Sequence, residues 1–461
     1  MKKIYIAETG KKIGEKVTAA GWVHARRDMG KIIFIDLRDS TGLLQVVFAP
    51  NNKDLLTQAN ALRPEFCVQI KGQINERPEK MRNPNMITGG VEMLAEELEI
   101  LNESKTPPFE LDKDTMSVGE ELRLKYRYLD LRSERLHRNL LLRDRVVGFF
   151  REWLRGEGFI EVETPTLTKG TPEGAREFIV PSRIHSGKFY VLPQSPQQFK
   201  QLLMVAGVER YFQIARCYRD EDQRGDRQPE FTQLDLEMSF VEQEDILELN
   251  ERMMIDMVKT ITPDKRITTL PFPRIPYAEA IEKYGSDKPD LRQDKNDPNE
   301  LAFCWIVDFP LFEKGDNGTL QAAHHPFCRP NPEDMELLDT DPLKVRGWTY
   351  DLVLNGYELS SGSIRIHQRE LQDKIFRMLG LEEETINSRF GHLLEAFEYG
   401  APPHGGMAPG IDRLVMLLAG EPNIREIIPF PKTGDARCPL MGAPSDLPPS
   451  RLKEANIAKD V

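Results

Sequence analysis

Residues 213–240 read QIARCYRDEDQRGDRQPEFTQLDLEMSF, two strand-like runs joined by a loop whose side chains are almost all charged or amides. Paired as adjacent antiparallel strands, they place that loop at one end of a sheet and send side chains to alternate faces. Arg219, Glu221, Gln228, Phe231, Gln233 and Asp235 then share one surface. An arginine suits a phosphate, an aromatic ring a base and a carboxylate an amine, so the surface fits an anionic, planar ligand. Taken alone, the loop reads more simply as a solvated hairpin tip, because exposed ion pairs stabilise by only about 0–1 kcal/mol.

Two further stretches shift that balance. In HGGMAPGIDRLVMLLAG, small residues and Pro409 precede Arg413, which opens an apolar helix, so a site of close backbone approach has a cation at its edge. In YDLVLNGYELSSGSIRIH, Asp351 and Glu358 fall on a strand pair, where two carboxylates beside a phosphate site can hold magnesium. There is no GxxxxGK[ST] and no GxGxxG after a strand, so a nucleotide site here is neither a P-loop nor a Rossmann site.

The segments KVTAAGWVHARR, KIIFIDLRD, LLQVVFA, FCVQIKGQI and VEMLAEELEIL make five short strands within the first hundred or so residues. They suggest a small barrel of the oligonucleotide-binding type; a β-rich oligomerisation or lid domain fits the same pattern. SKTPPFELD then breaks the pattern as an extended linker would. Apolar residues at helical spacing predict a long helix from Ser133 to Arg155, leading into GFIEVETPTL, a strand that Pro165 confines to an edge or interface. Further on, FYVLP, RYFQIARCYR, FTQLDLEMSF, AFCWIVDFPLF, TYDLVLNGYEL and IRIH alternate with helices near 196–206 and 243–260. Hairpins rather than βαβ units imply a mainly antiparallel sheet packed with helices, an α+β fold.

Charge separates the parts. Residues 1–105 carry 16 Lys and Arg against 14 Asp and Glu, so all of the acidity behind the net charge of −12 lies beyond them. That excludes a generic nucleic-acid coat and leaves local docking of a phosphate backbone open. No apolar run approaches the roughly 20 residues of a membrane span, and the N-terminus lacks a signal peptide's apolar core. Five scattered cysteines without a CxxC pair suggest reduced thiols and a cytoplasmic location.

YRDEDQRGDRQPEFTQLDLE resembles motif 2 of the class II aminoacyl-tRNA synthetases, GGMAPGIDR resembles motif 3, and GFIEVETPTL resembles motif 1, the dimer-interface strand of that class. TPEGAREF, QSPQQFKQLLM, HHPF and NGYELSSGSIRIH are similar to the bacterial aspartyl-tRNA synthetases, nearly end to end. The resemblance implies an OB-fold anticodon-binding barrel (1–104), a hinge or linker (105–132) and a catalytic domain (133–461) on an antiparallel sheet of six or seven strands. It implies that Arg219 holds the α-phosphate and the aspartate carboxylate, that Glu221 and Gln228 contact ATP, and that Phe231 stacks on adenine. Arg413, with Gly410, Ile411 and Asp412, would grip the γ-phosphate, while Asp351 and Glu358 coordinate Mg2+; Arg219, Glu358 and Arg413 are the catalytic set. Lys200 and Arg365 would bind the side-chain carboxylate of L-aspartate, with Glu173, Ser195, Gln197, Asp235, His324 and His325 around the amino acid. Arg27, Phe34, Gln45 and Glu92 would read the anticodon. The implied activity is ATP-dependent charging of tRNA(Asp), with tRNA(Asn) left open, by a cytoplasmic homodimer. One departure stands out: the family's large insertion between motifs 2 and 3 is reduced to a short linker near 292–301. A noncatalytic synthetase-like nucleic-acid-binding regulator is the alternative; asparagine synthesis on the same catalytic fold is disfavoured because that family lacks the barrel.

Overall fold

A computed structural model describes residues 3–84, 86–170, 175–315 and 318–457. Glu173, expected beside the amino acid, lies outside the described residues. The chain forms two compact units, 1–135 and 136–461.

In the first unit, β1 (Lys16–Asp28), β2 (Ile33–Asp39), β3 (Gly42–Phe48), β4 (Cys67–Glu76) and β5 (Val91–Asn102) close into a barrel in the order β1-β2-β3-β5-β4. β3 and β5 run parallel and the other neighbours antiparallel. Closure leaves no free sheet edge. Alternation sets the faces: Ile33, Ile35 and Leu37 point inward with Leu44, Val46, Val68, Ile70 and Met93, each fully buried or nearly so, while Phe34 is left half-buried on the outer face. Each such aliphatic stabilises by about 1.5–3 kcal/mol on burial, which fixes the register. Gly72 marks a register shift, where a Cβ would lie 2.2 Å from the Leu94 carbonyl oxygen. A helix not foreseen from the sequence, α1 (Lys53–Ala61), connects β3 and β4, its first turn capped by the Asn52 side chain accepting from the Leu55 amide. In the 105–132 segment, SKTPPFELD carries neither helix nor strand, and the remainder is more structured than a bare linker. The segment contains two short helices, Glu120–Lys125 and Arg127–Asp130, and buries Phe109, Leu111 and Leu124. Its buried Asp130 accepts from Arg127 Nη1 at 2.7 Å and from Thr115 Oγ1 at 2.6 Å.

The second unit is built on eight strands: β6 (Ile160–Glu161), β7 (Arg210–Tyr218), β8 (Glu230–Ser239), β9 (Arg274–Pro276), β10 (Phe303–Val307), β11 (Thr349–Leu354), β12 (Tyr357–Ile364) and β13 (His404–Met407). Their order is β9-β10-β11-β12-β13-β8-β7-β6. The six central strands pair antiparallel, and the short edge strands β6 and β9 add parallel pairs. The motif-1 stretch contributes only two strand residues, and Asp308, at φ 58°, breaks AFCWIVDFPLF after Val307. Helices α2 (Glu134–Gly156), α3 (Gln197–Val205), α4 (Gln243–Ile261) and α5 (Ile411–Ala419) pack around the sheet. Phe150, Phe212, Leu236, Met254, Trp305, Leu352 and Leu414 form one core from α2, β7, β8, α4, β10, β11 and α5. Along β8, Leu234, Leu236 and Met238 face that core, so the period of two sends Gln233, Asp235 and Glu237 to the other face. No helix among the described residues is long and apolar enough to cross a membrane.

Candidate active site

On that other face lies a cavity of about 560 Å³. Ser195, Gln197, Lys200, Arg219, Glu221, Gln228, Phe231, Asp235, His324, His325, Glu358, Arg365, Gly410, Asp412 and Arg413 line it together, although they come from five separate stretches of chain. Asp351 and Ile411 do not line it, and the Ile411 side chain is fully buried in the core.

Lys200, Asp235 and Arg365 at the floor form a four-charge network with Glu237, which is buried and does not itself line the cavity. Lys200 Nζ donates to Asp235 Oδ1 at 2.7 Å and lies 3.4 Å from Glu237. Arg365 donates Nε and Nη2 to the two Glu237 oxygens at 2.9 and 3.2 Å. All four residues are at most 2% exposed. An unpaired charge at that depth is strongly destabilising, so two cations and two anions are held there as a set. Burial pushes the Asp235 carboxyl up against the pull of Lys200; Glu237, despite equal burial, is held down by Arg365 and then Lys200. Glu237 escaped the sequence analysis, although its i, i+2 spacing from Asp235 places it on the same face. Arg365 also donates Nη1 to Ser363 Oγ at 2.6 Å and lies 2.9 Å from His325 Nε2, which accepts. Burial, then the Arg365 charge, hold His325 well below its ordinary 6.5, so the ring is neutral; burial lowers His324 likewise.

Nearer the mouth, the Arg219 guanidinium lies over the Phe231 ring, 5.1 Å from its centroid. Arg413 donates Nη2 to Asp226 Oδ2 at 2.9 Å and Nη1 to the Glu358 carbonyl. The buried Nε of each arginine has no hydrogen-bond partner. Two arginines with donors to spare beside an aromatic face suit a nucleotide's phosphates and base. Asp226, which fixes Arg413, was not singled out in the sequence. Gln228, expected on ATP, lines the cavity but commits its amide to Lys432, donating to the carbonyl at 3.1 Å and accepting from the backbone N–H at 2.7 Å. Asp412 accepts from the Thr232 amide at 2.8 Å and from Arg143, fastening α5 to β8. Glu221 lies 3.5 Å from Arg227.

Asp351 and Glu358 flank the turn between β11 and β12. Asn355 and Gly356 there have φ of 51° and 83°, the left-handed pair that a tight hairpin requires and an Asn-Gly sequence provides. Asp351 Oδ1 is buried without a partner. Burial, then the charge of Glu358, push Asp351 well up, while Glu358, against its own burial, is held down by Lys288 at 2.9 Å. Two carboxylates with an unsatisfied oxygen beside a phosphate site fit magnesium, an ion bound through one or two carboxylates plus phosphate oxygens. No larger cluster of metal-ligating side chains occurs among the described residues.

On the barrel's outer face, Arg27 donates Nη2 to Asp36 Oδ1 at 3.0 Å and to Gln45 Oε1 at 3.3 Å, and Gln45 donates Nε2 to Glu92 Oε2 at 2.8 Å. Arg77 joins at Gln45 Oε1, 3.3 Å away. Phe34 is the cross-strand neighbour of Arg27. A ring beside polar edges suits unstacked bases. Neither Asp36 nor Arg77 was anticipated.

Residues 119–434 match the family model of class II tRNA synthetases (D, K and N), and residues 17–101 match that of the OB-fold nucleic acid binding domain. The chain is 45% identical to an aspartate–tRNA(Asp/Asn) ligase of Rubrobacter xylanophilus, covering 97% of this chain and 95% of that protein. An aspartate–tRNA ligase of Geobacillus kaustophilus is 43% identical, with 97% and 96% covered. Two solved structures share the fold: asparaginyl-tRNA synthetase from Pyrococcus horikoshii complexed with asparaginyl-adenylate (TM-score 0.75, 24% identity, 94% and 98% covered) and a putative aspartyl-tRNA synthetase from Leishmania major (0.76, 21%, 93% and 94%). With a family model matching most of its length and relatives this similar from end to end, the chain belongs to the class II tRNA synthetases of the D, K and N group.

Proposed function

We propose that the chain is an aspartate–tRNA ligase, activating L-aspartate with ATP and esterifying the 3′ end of tRNA(Asp). The observation that carries this is the buried Lys200 and Arg365 pair at the floor of a cavity whose mouth holds Arg219, Phe231 and Arg413. The substrate's side-chain carboxylate meets the two cations alongside Asp235 and Glu237; an asparagine amide offers them only a neutral acceptor in a desolvated pocket, a weaker partner than a charged one. Ser195, Gln197, Asp235 and the two histidines surround the remainder of the amino acid. An α-carboxylate oxygen of aspartate attacks the α-phosphorus of ATP, the mixed anhydride forms and pyrophosphate leaves; the ribose 3′-hydroxyl then displaces AMP. Arg219 steadies the α-phosphate, Phe231 the adenine and Arg413 the far phosphates, so positioning and charge stabilisation provide most of the acceleration. Glu358 and Asp351 would hold a magnesium ion, which neutralises phosphate charge when bound. Arg27, Phe34, Gln45 and Glu92 receive the anticodon.

The alignment with the Rubrobacter protein runs over 570 positions although this chain has 461 residues, which supports the absence of an insertion here. The gap is bridged by a tied turn: the amides of Gln293 and Asp294 donate to the buried Glu300 carboxylate at 2.8 and 3.2 Å. Exposed Ile160 on edge strand β6, with Leu167 beyond it, supports pairing of two copies there, in a homodimer acting in the cytoplasm. A second reading, charging of tRNA(Asn) as well, is favoured by the dual acceptor in the names of the 45%-identical relatives. Aspartate-dependent ATP–pyrophosphate exchange tests the proposal; exchange is expected with aspartate and not with asparagine, and none with either would overturn it.

A further inference from the structure

Where Asp351 and Glu358 stand ready for a divalent ion, the chain itself supplies a cation. Lys288 Nζ lies 2.9 Å from Glu358 Oε2 and lines the same cavity, and none of the roles above uses it. Its position is built into the backbone. The segment that carries it packs against the Asn355–Gly356 turn joining the two carboxylate-bearing strands: a Cβ on Gly356 would come within 3.3 Å of Asp290 Cβ and 3.9 Å of the Lys288 carbonyl oxygen. The Lys288 amide donates to Ser286 Oγ at 3.0 Å, and Asp290 is clamped by Arg292 through Nε at 3.0 Å, Nη2 at 2.7 Å and the backbone N–H at 3.2 Å. The ammonium is thus delivered to the carboxylates by ordered chain. With side chains 37% and 33% exposed, Lys288 and Glu358 can also part.

We propose that Lys288 is a built-in counterion that competes with a free divalent metal for Glu358 and passes to nucleotide phosphate oxygens when metal and nucleotide enter together. The charges of Asp351 and Glu358 repel, and an ammonium held at Glu358 relieves that repulsion. A metal ion arriving alone must displace the ammonium and leave it without an anion. A metal arriving with a triphosphate brings oxygens that accept it, so metal and nucleotide affinities are positively coupled through Lys288. This rests on reading the cavity as the ATP site.

The test compares Mn2+ binding, followed by electron paramagnetic resonance on the full chain, in wild type, Lys288→Met, Lys288→Gln and Lys288→Arg, first with Mn2+ alone and then with α,β-methylene-ATP. In the absence of nucleotide, the Met and Gln variants are expected to bind Mn2+ about tenfold more tightly than wild type, and the Arg variant to match wild type. The nucleotide is expected to tighten Mn2+ binding more in wild type than in the Met and Gln variants. Nucleotide-free affinities in either neutral variant equal to wild type, in protein that melts as wild type does, would overturn the proposal. Because Mn2+ binding is read without turnover, this outcome is separable from a failure of the ATP-site reading, which would appear as no aspartate-dependent exchange in wild type.

Discussion

Substituting Lys200 by methionine keeps the unbranched stem and removes only the charge. The ammonium it deletes touches Asp235 at 2.7 Å and Glu237 at 3.4 Å, with a side chain 3% exposed, so solvent screening offers no discount. The network then holds Asp235, Glu237 and Arg365, one negative charge in excess, at the place where a dicarboxylic amino acid must put its own carboxylate. Removing one partner of a buried, hydrogen-bonded pair costs about 3–5 kcal/mol, and at 1.4 kcal/mol per decade a loss of that size in substrate binding amounts to about 10²–10⁴ in affinity. Burial already pushes the Asp235 carboxyl up with Lys200 as its chief opponent, so removing the ammonium moves it further in the same direction. In ATP–pyrophosphate exchange, the expected outcome is an aspartate KM raised by at least about a hundredfold, an ATP KM close to wild type, and a narrowed preference for aspartate over asparagine. An aspartate KM within about threefold of wild type, a difference of under 1 kcal/mol, would refute the argument that this floor selects the substrate by charge.

Arg413→Ala removes the cation beside Asp226 and should raise the ATP KM and lower kcat together, by about 10²-fold, with little change in aspartate binding; an unchanged ATP KM would remove Arg413 from the phosphate site. His325 is held neutral in the fold, so its contribution to stability is present above the unfolded value near 6.5 and is lost as pH falls below it. His325→Asn should therefore lose less stability than wild type between pH 7.5 and 5.5, by about 1 kcal/mol in urea unfolding; parallel pH profiles would contradict that. Phe34→Ala, on the barrel's outer face, should weaken tRNA(Asp) binding by about 1–3 kcal/mol while leaving pyrophosphate exchange untouched, and filter binding with intact affinity would show that the ring does not stack on a base.

The barrel was legible because its strands alternate, and a period of two survives in any sequence that must bury one face and wet the other. The hairpin 213–240 was legible for the same reason, as was the strand pair carrying Asp351 and Glu358, though its Asn355–Gly356 turn was not singled out. What could not be read were partners that distance in sequence conceals. Asp226 in the charged loop meets Arg413 almost two hundred residues on, and Lys288 meets Glu358 across a turn. Glu237 shares the face of Asp235, yet nothing local says that Arg365 will sit opposite it. Gln228 and Asp412 carried ligand-like signals but spend visible hydrogen bonds on fastening the hairpin and α5 in place. Helix α1 and the two helices within 105–132 were overlooked because their short apolar faces give a weak period of 3.6.

The most direct test is aminoacylation with labelled aspartate on purified tRNA(Asp) and tRNA(Asn) transcripts, using the chain as it stands, without an insertion. Acid-precipitable aspartate on tRNA(Asp) is the result expected, and label on tRNA(Asn) as well would establish the dual acceptor. Label on neither, from protein that melts cooperatively and binds ATP, would contradict the assignment of the cavity as an aspartate-activating, tRNA-charging site.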